Sequence, residues 1–354
     1  MSAQRTAART WVACFGEALI DFLARPAAAP GQPRQFAEYA GGAPANVAVG
    51  VARLGGQSRF IGMLSTDMFG DFLLGQFQGY GVDTAQVRRT EAARTALAFV
   101  SLGLDGERSF NFYRPPAADL LFQPQDFDAE AFADTAVFHV CSNSLTAPAI
   151  AGTTLHGMEL AARAGALVSM DLNLRPSLWP ADVDPTPTLW HALAPAHLVK
   201  LSREEFAFLA RDGSEERVLA RLFEGATQVL IVTDGPARIR WWTREASGTA
   251  GTFAVDAVDT TAAGDAFVAG LLHRLGTQGI AAGTLAAAFA DASTREDLLR
   301  YAAAAGALTT TRFGAFAALP THEQVRELIE AGPRQDDPAQ DGPLPADSRR
   351  TGSR

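Results

Sequence analysis

The sequence predicts an α/β fold, with a mainly parallel central sheet, helices on both of its faces and a small β appendage. Two patterns carry that prediction. Compact apolar runs alternate with segments whose apolar residues fall at helical spacing, through most of the 354 residues. Elsewhere an Asp-Gly pair joins two strand-like runs, the chemistry of a hairpin turn.

The strand-like runs are residues 11–16, 59–64, 136–141, 167–171, 197–201 and 228–233. Each is short and apolar, as a parallel strand covered on both faces must be. Helical spacing marks 46–54, 69–80, 149–164, 203–210, 215–223, 263–275, 295–311 and 323–331. Two stretches break the alternation. Residues 19–40 are short and carry Pro and Ala turns, and 95–114 read as a hairpin, 96–104 and 107–113 about Asp105-Gly106. Together they make the appendage, placed as a lid over one end of the sheet. The tails, 1–10 and 333–354, are expected to be disordered, the second being rich in Pro, Asp, Gly, Ser and Arg.

Hydrophobic residues make up 47% of the chain and charged residues 19%, the balance of a globular protein with a sizeable core. The formal net charge of −9 and the lack of a basic run argue against general nucleic-acid binding. No apolar stretch is long enough to span a bilayer and the start has no signal core, so a cytoplasmic protein with no membrane partner is expected. Cys14 and Cys141 lie in apolar runs and read as buried free thiols of a reducing compartment. Histidines such as His139 and His156 have no spaced partner for a metal or a triad. Tyr113, Trp179 and the Trp241-Trp242 pair read as packing residues.

The chemistry concentrates at Val258-Asp259-Thr260-Thr261-Ala262-Ala263-Gly264-Asp265-Ala266-Phe267. A strand-like run, 252–258, enters it and a helix-like run leaves it. Free N–H groups and the positive dipole end of a helix attract phosphate, and small residues let phosphate approach the backbone. Asp265 cannot bind phosphate by charge; a carboxylate there suits a general base for the attacking group. The chain has one lysine, Lys200, at the end of an apolar run, so there is no Walker A loop. No G-x-G-x-x-G follows a strand either. A nucleotide would have to be held by backbone dipoles, arginines and a metal.

Other segments fit a small polar ligand. Gly41-Gly42-Ala43-Pro44-Ala45-Asn46 opens a helix, with Asn46 either facing a polar pocket or capping. Asp21, between Ile20 and Phe22, either accepts from sugar hydroxyls or is an edge-strand charge facing water. Strand alternation puts Asp171, Asn173 and Arg175 on one face at the C-terminal end of a parallel strand, where α/β ligand sites form. Ser202-Arg203-Glu204-Glu205 opens a helix whose dipole favours carboxylates, and Glu205 is also placed to orient a water on Mg²⁺. Thr233-Asp234-Gly235 ends a strand in a turn, and Arg114 follows the hairpin.

The pairing of Gly41-Gly42-x-x-x-Asn46 with Asp259-Thr-Thr-Ala-Ala-Gly-Asp265 resembles the two signatures of the ribokinase-like (PfkB-type) carbohydrate kinases. The likeness runs from about Val12 to Pro320. The blocks Gly41 to Gly56, Ala96 to Val100, Phe112 to Asp119 and Asp171 to Arg175 look like its fructokinase branch. The resemblance implies a ribokinase-like three-layer sandwich over 11–332 and transfer from ATP to a terminal hydroxymethyl group, with fructose as acceptor. Asp265 would be the base, and the N–H groups of Ala262, Ala263 and Gly264 the anion hole. Asp21, Gly41, Gly42 and Asn46 would hold sugar hydroxyls, with Arg114 and Arg175 as lid-side and floor contacts. Thr233, Gly235 and the block 309–315, with Gly314, would border the nucleotide. Glu205 would serve Mg²⁺, with Ser202 where the family has Asn, and the region of Asp259 and Arg312 a K⁺ ion. A homodimer through the lids follows by analogy. The rivals are a kinase for 2-keto-3-deoxygluconate or aminoimidazole riboside, and a non-catalytic sugar-binding regulator.

Overall fold

A computed structural model of the chain describes residues 10–332, apart from 26–32, 34, 103–107 and 212. The turn at Asp105-Gly106 and, beyond Thr10, both tails lie outside the described residues. The strands are β1 (Trp11–Phe15), β2 (Leu19–Arg25), β3 (Gln35–Gly41), β4 (Ser58–Ser65), β5 (Val87–Thr90), β6 (Leu97–Leu102), β7 (Arg108–Tyr113), β8 (Thr135–Cys141), β9 (Leu167–Asp171), β10 (Leu198–Ser202), β11 (Val229–Thr233), β12 (Ile239–Trp242) and β13 (Ser247–Ala250). The α-helices are α1 (Ala43–Arg53), α2 (Met68–Gly79), α3 (Pro148–Arg163), α4 (Thr186–Leu193), α5 (Arg203–Ala210), α6 (Glu215–Glu224), α7 (Ala263–Thr277), α8 (Leu285–Ala290), α9 (Ala292–Thr309) and α10 (His322–Ala331).

The large sheet has the order β13-β12-β11-β10-β9-β8-β1-β4-β5. Its six central strands, β11 to β4 in that order, are the six apolar runs of the sequence, and all pair in parallel. At one edge β12 and β13 turn antiparallel. Side-chain alternation sends the strand residues into two cores. Val12, Cys14, Phe60, Val137 and Leu198 join the core under α1, α7 and α9. Ala13, Phe15, Ile61, Phe138 and Val199 join the core under α3, α4 and α6. One sheet with a helical layer on each face follows from that period of two.

The second sheet, β3-β2-β6-β7, is the expected appendage. It is mixed: β2 pairs β3 antiparallel and β6 parallel, and β6 and β7 form the hairpin. Tyr113 departs from expectation. It is 68% exposed on this sheet, its ring set at 77° to that of Phe99 with centroids 5.4 Å apart. Trp179 and Trp241 are buried, and both cysteines are buried free thiols. Among the described residues no helix is long and apolar enough to cross a membrane.

Helices α1 and α7 lie side by side over the sheet. A Cβ on Gly50 would stand 2.6 Å from Ala269 Cβ, so the missing side chain permits that approach. The approach brings the two helix N-termini to one place, above the C-terminal ends of β1, β8, β9 and β10.

Candidate active site

A cavity of about 650 Å³ opens there. It is lined from the β1–β2 connection and β2 by Glu17, Leu19 and Asp21, from the start of α1 by Gly42, Ala43 and Asn46, and from β8 to β10 and the segments that follow them by Asn143, Asp171, Asn173, Arg175, Lys200, Ser202 and Glu205. Phe112 and residues 257–265 complete it. The two signatures therefore meet.

Asn46 decides between its two readings. It is 5% exposed, and its Nδ2 donates to Asp265 Oδ2 at 2.7 Å. It does not cap α1. The N-cap is Gly42, at φ 108, where a Cβ would meet Glu17 O at 2.5 Å. Asn46 Oδ1 is buried without a partner, which leaves an acceptor for a ligand hydroxyl.

Asp265 stands in the first turn of α7. Burial pushes its carboxyl up to about 7; the Asp171 carboxylate adds to the rise, and Asn46, Arg175 and Lys200 oppose it. A base near 7 suits proton abstraction at neutral pH. Beside it, one of the three N–H groups expected to form an anion hole is already engaged. The Ala263 N–H is turned to Thr260 O at 3.3 Å, closing the turn. Among the described residues the N–H groups of Ala262, Gly264 and Asp265 have no backbone acceptor. The chain reaches them through Ala262 in the left-handed region, φ 60, and no side chain caps the helix. Residues 252–258 are not the expected strand. They run irregularly, and Val258 N and Asp259 N both donate to Thr310 O.

Asp21 is not an edge charge, because β2 is an inner strand of its sheet. Gly41 touches no ligand space itself. A Cβ there would stand 2.2 Å from Asp21 Oδ2, so Gly41 makes room for that carboxylate. Asp171, Asn173 and Arg175 do reach the cavity together, but not by strand alternation, since Asn173 is left-handed at φ 41. Arg114 is corrected. Its guanidinium is 2% exposed and is consumed by Asp119, Asn143 O and Thr146 Oγ1, and Arg114 is not among the residues that line the cavity. It sits beside Glu17, whose carboxyl is raised on balance by burial although Arg114 draws it down.

Glu205 is buried, and both oxygens accept backbone N–H groups, from Leu174 and Ser202. Ser202 closes the reciprocal capping box by accepting from Glu205 N, which accounts for serine at that place. Among the described residues no three His, Cys, Asp or Glu side chains are grouped to hold a metal ion. That donor set fits Mg²⁺ only as an ion carried by phosphates and water, with Glu205 at the edge. Asp259, 3% exposed, clamps two loops by accepting from Thr261 N and Gly314 N. Arg312 is exposed. Thr233 ends β11 beside Ser202, Gly235 turns at φ 52 and Gly314 at φ 97, all outside the cavity lining.

The model of the pfkB family of carbohydrate kinases matches residues 9–322. The chain belongs to that family. This carbohydrate kinase is 40% identical over 326 residues to fructokinase-1 of Zea mays, covering 92% of this chain and 99% of the relative. It is 50% identical to the fructokinase of Xylella fastidiosa solved with bound ATP, at a TM-score of 0.87, over 91% of this chain and 99% of that one. A fructokinase from Vibrio cholerae O395, in a form with fructose, ADP and calcium ion bound, gives 0.78 at 31% identity, covering 91% and 99%.

Several lining residues lay outside the sequence expectations: Lys200, Glu17, Asn143 and Phe112. Glu17 and Asn143 stand just past the ends of the parallel strands β1 and β8, the place where polar residues gather around α/β ligands, and Lys200 lies inside β10, two residues before its end. That position was the available signal.

Proposed function

We propose that the chain transfers the terminal phosphoryl group of ATP to the 6-hydroxymethyl group of fructose. The observation that carries this is the Asn46–Asp265 pair beside the uncapped N-terminus of α7. A hydroxyl placed against Asp265 loses its proton to that carboxylate as it attacks. The N–H groups of Ala262, Gly264 and Asp265 face the place where phosphoryl charge is spread. Asp21, Asn46 and Asn143, polar side chains of the lining, orient the remaining hydroxyls. Arg175, exposed at the rim, meets the outer end of the acceptor. Glu205 would hold a water of bound Mg²⁺, an ion that would supply neutralisation of the phosphate charge. The small sheet, carrying Asp21, serves as the lid that keeps water from the transfer.

Fructose is supported by the fructokinase relatives and by Arg114. Had both arginines reached the cavity, a sugar acid would have found a bidentate clamp. With Arg114 so consumed, that case loses one partner. Release of ADP, coupled to a reporter enzyme, tests the reading across fructose, 2-keto-3-deoxygluconate and aminoimidazole riboside. Fructose is expected to give the highest kcat/KM. A tenfold preference for another sugar overturns the substrate, and tight sugar binding with no ADP release overturns the kinase.

A further inference from the structure

The one lysine of the chain has a position that its absence from any Walker loop did not suggest. Lys200 is 7% exposed and lines the cavity. Its Nζ donates to Asp171 Oδ2 at 3.0 Å, and among the described residues that is its only hydrogen-bond acceptor. A Cβ on Gly264 would stand 3.1 Å from Nζ, so the ammonium lies against the Cα of the residue whose N–H opens the phosphate site. An ammonium carries three donors. One is spent on Asp171, and two are left in a buried, polar space where an unused donor is costly. The carboxylates of Asp171, Glu205 and Asp265 outweigh burial and keep the group cationic. Of 30 basic residues this is the only one that is not arginine. A compact charge on a thin stem fits beneath Gly264, and a planar guanidinium does not.

We propose that Lys200 is a catalytic residue of the transfer, its ammonium touching the migrating phosphoryl group from the sheet side while the N–H groups of α7 hold it from the helix side. Asp171 tethers the ammonium, and Gly264 leaves it room. In the step the P–O bond to the nucleotide breaks as the bond to the sugar oxygen forms. The hydroxyl proton passes to Asp265, and Lys200 keeps its protons throughout. This rests on the reading of the chain as a phosphotransferase.

The test compares wild type with Lys200→Met and Lys200→Arg, and adds the double variant Lys200→Met with Asp171→Asn, which removes both buried charges. The expected result is a kcat lowered about 10²–10³-fold in Lys200→Met, the range for loss of one transition-state donor, with sugar KM within about threefold. Lys200→Arg recovers little. The loss persists at every pH from 6 to 9. Recovery of rate at high pH would reduce Lys200 to a tuner of Asp265 and overturn contact with the phosphoryl group. A kcat within threefold of wild type overturns it outright. If Lys200→Met does not fold, the double variant decides: folded and slow supports the contact, folded and fast rejects it. ADP binding in the presence of aluminium fluoride, read by calorimetry, makes the same comparison without turnover. Tightening by fluoride in wild type and its loss in Lys200→Met supports the proposal; equal tightening in both defeats it. Wild type without turnover on any sugar is a failure of the kinase reading, separate from this one.

Discussion

Two helix N-termini enter one cavity, and they are treated in opposite ways. At α1 the N-cap is Gly42 and no side chain caps it, but the first N–H, on Ala43, donates to the buried Glu17 carboxylate at 3.1 Å. Glu17 also accepts from Asn143. At α7 the N-cap is Ala262, again without a capping side chain, and the donors beyond it are left open with Lys200 below. A helix start attracts anions unless a carboxylate already answers its dipole. At α1 the Glu17 carboxylate accepts the first N–H, which suits that end to a neutral polyol. At α7 the carboxylate of the first turn, Asp265, accepts from Asn46 and from none of the helix's own first N–H groups, which leaves those donors for a phosphate in the reading proposed above. The difference lies in the partners, since the two helix starts are alike in local sequence: small residues with no Ser, Thr or Asp cap.

The largest break in this pairing is Asp265→Asn. Turnover should fall about 10²–10⁴-fold, the usual worth of a positioned base, while ATP affinity in equilibrium titration stays within a few fold. In wild type, kcat/KM should rise with pH through about 7, the value to which burial carries Asp265. The same shift fixes a stability sign. The folded carboxyl holds its proton to a higher pH than the unfolded one, about 3.9. Its contribution is therefore complete below about pH 4 and is lost as pH rises toward 7. Asp265→Asn should then raise the Tm at pH 8 and bring less gain at pH 4, a comparison that scanning calorimetry makes directly.

Gly42→Ala attacks the α1 start. A side chain at φ 108, 2.5 Å from Glu17 O, has no room. Loss of about 1–3 kcal/mol in denaturant unfolding is expected, with sugar KM raised on the order of tenfold and ATP binding little changed. Glu17→Gln is subtler. It keeps an acceptor for Ala43 N–H but removes the charge, which should make the α1 end attractive to anions. Inorganic phosphate should then compete with the sugar at millimolar levels in steady-state kinetics, and not in wild type. The smallest effect is expected at the other start. Ala262→Gly relieves a left-handed alanine, worth about 1–2 kcal/mol, against a backbone entropy cost of about 0.5–1 kcal/mol. Turnover should stay within twofold, and stability should rise by about 1 kcal/mol or less.

How much of this was legible in the chain follows the same division between local and assembled features. The six central strands were readable because burial on both faces leaves only apolar runs. The edges were not. β5 is VRRT, β12 places Arg240 between Ile239 and Trp241, and β13 is SGTA, each only partly covered. Residues 252–258 misled in the other direction: Phe253, Val255 and Ala257 alternate like a strand, yet Ala257 is exposed and Val258 is 51% exposed in an irregular run. In the site, Asp265, Asn46 and Gly42 were legible because helix starts have a local grammar. Lys200 and Glu17 were not, since their meaning depends on which strand ends become neighbours. Arg114 failed for the same reason; nothing in its segment shows that Asp119 and the Asn143 carbonyl absorb it.

The Asn46–Asp265 hydrogen bond joins residues 219 positions apart. Such a contact closes late, after the intervening strands have paired, because distant segments meet only when most of the chain entropy has already been lost. During synthesis Asn46 leaves the ribosome long before Asp265 does. A nascent or clipped chain ending ahead of α7 lacks one member of this pair, whatever else of it has folded. Recovery of turnover in a refolding experiment should accordingly lag the recovery of helical signal, and the first active molecules should be complete ones.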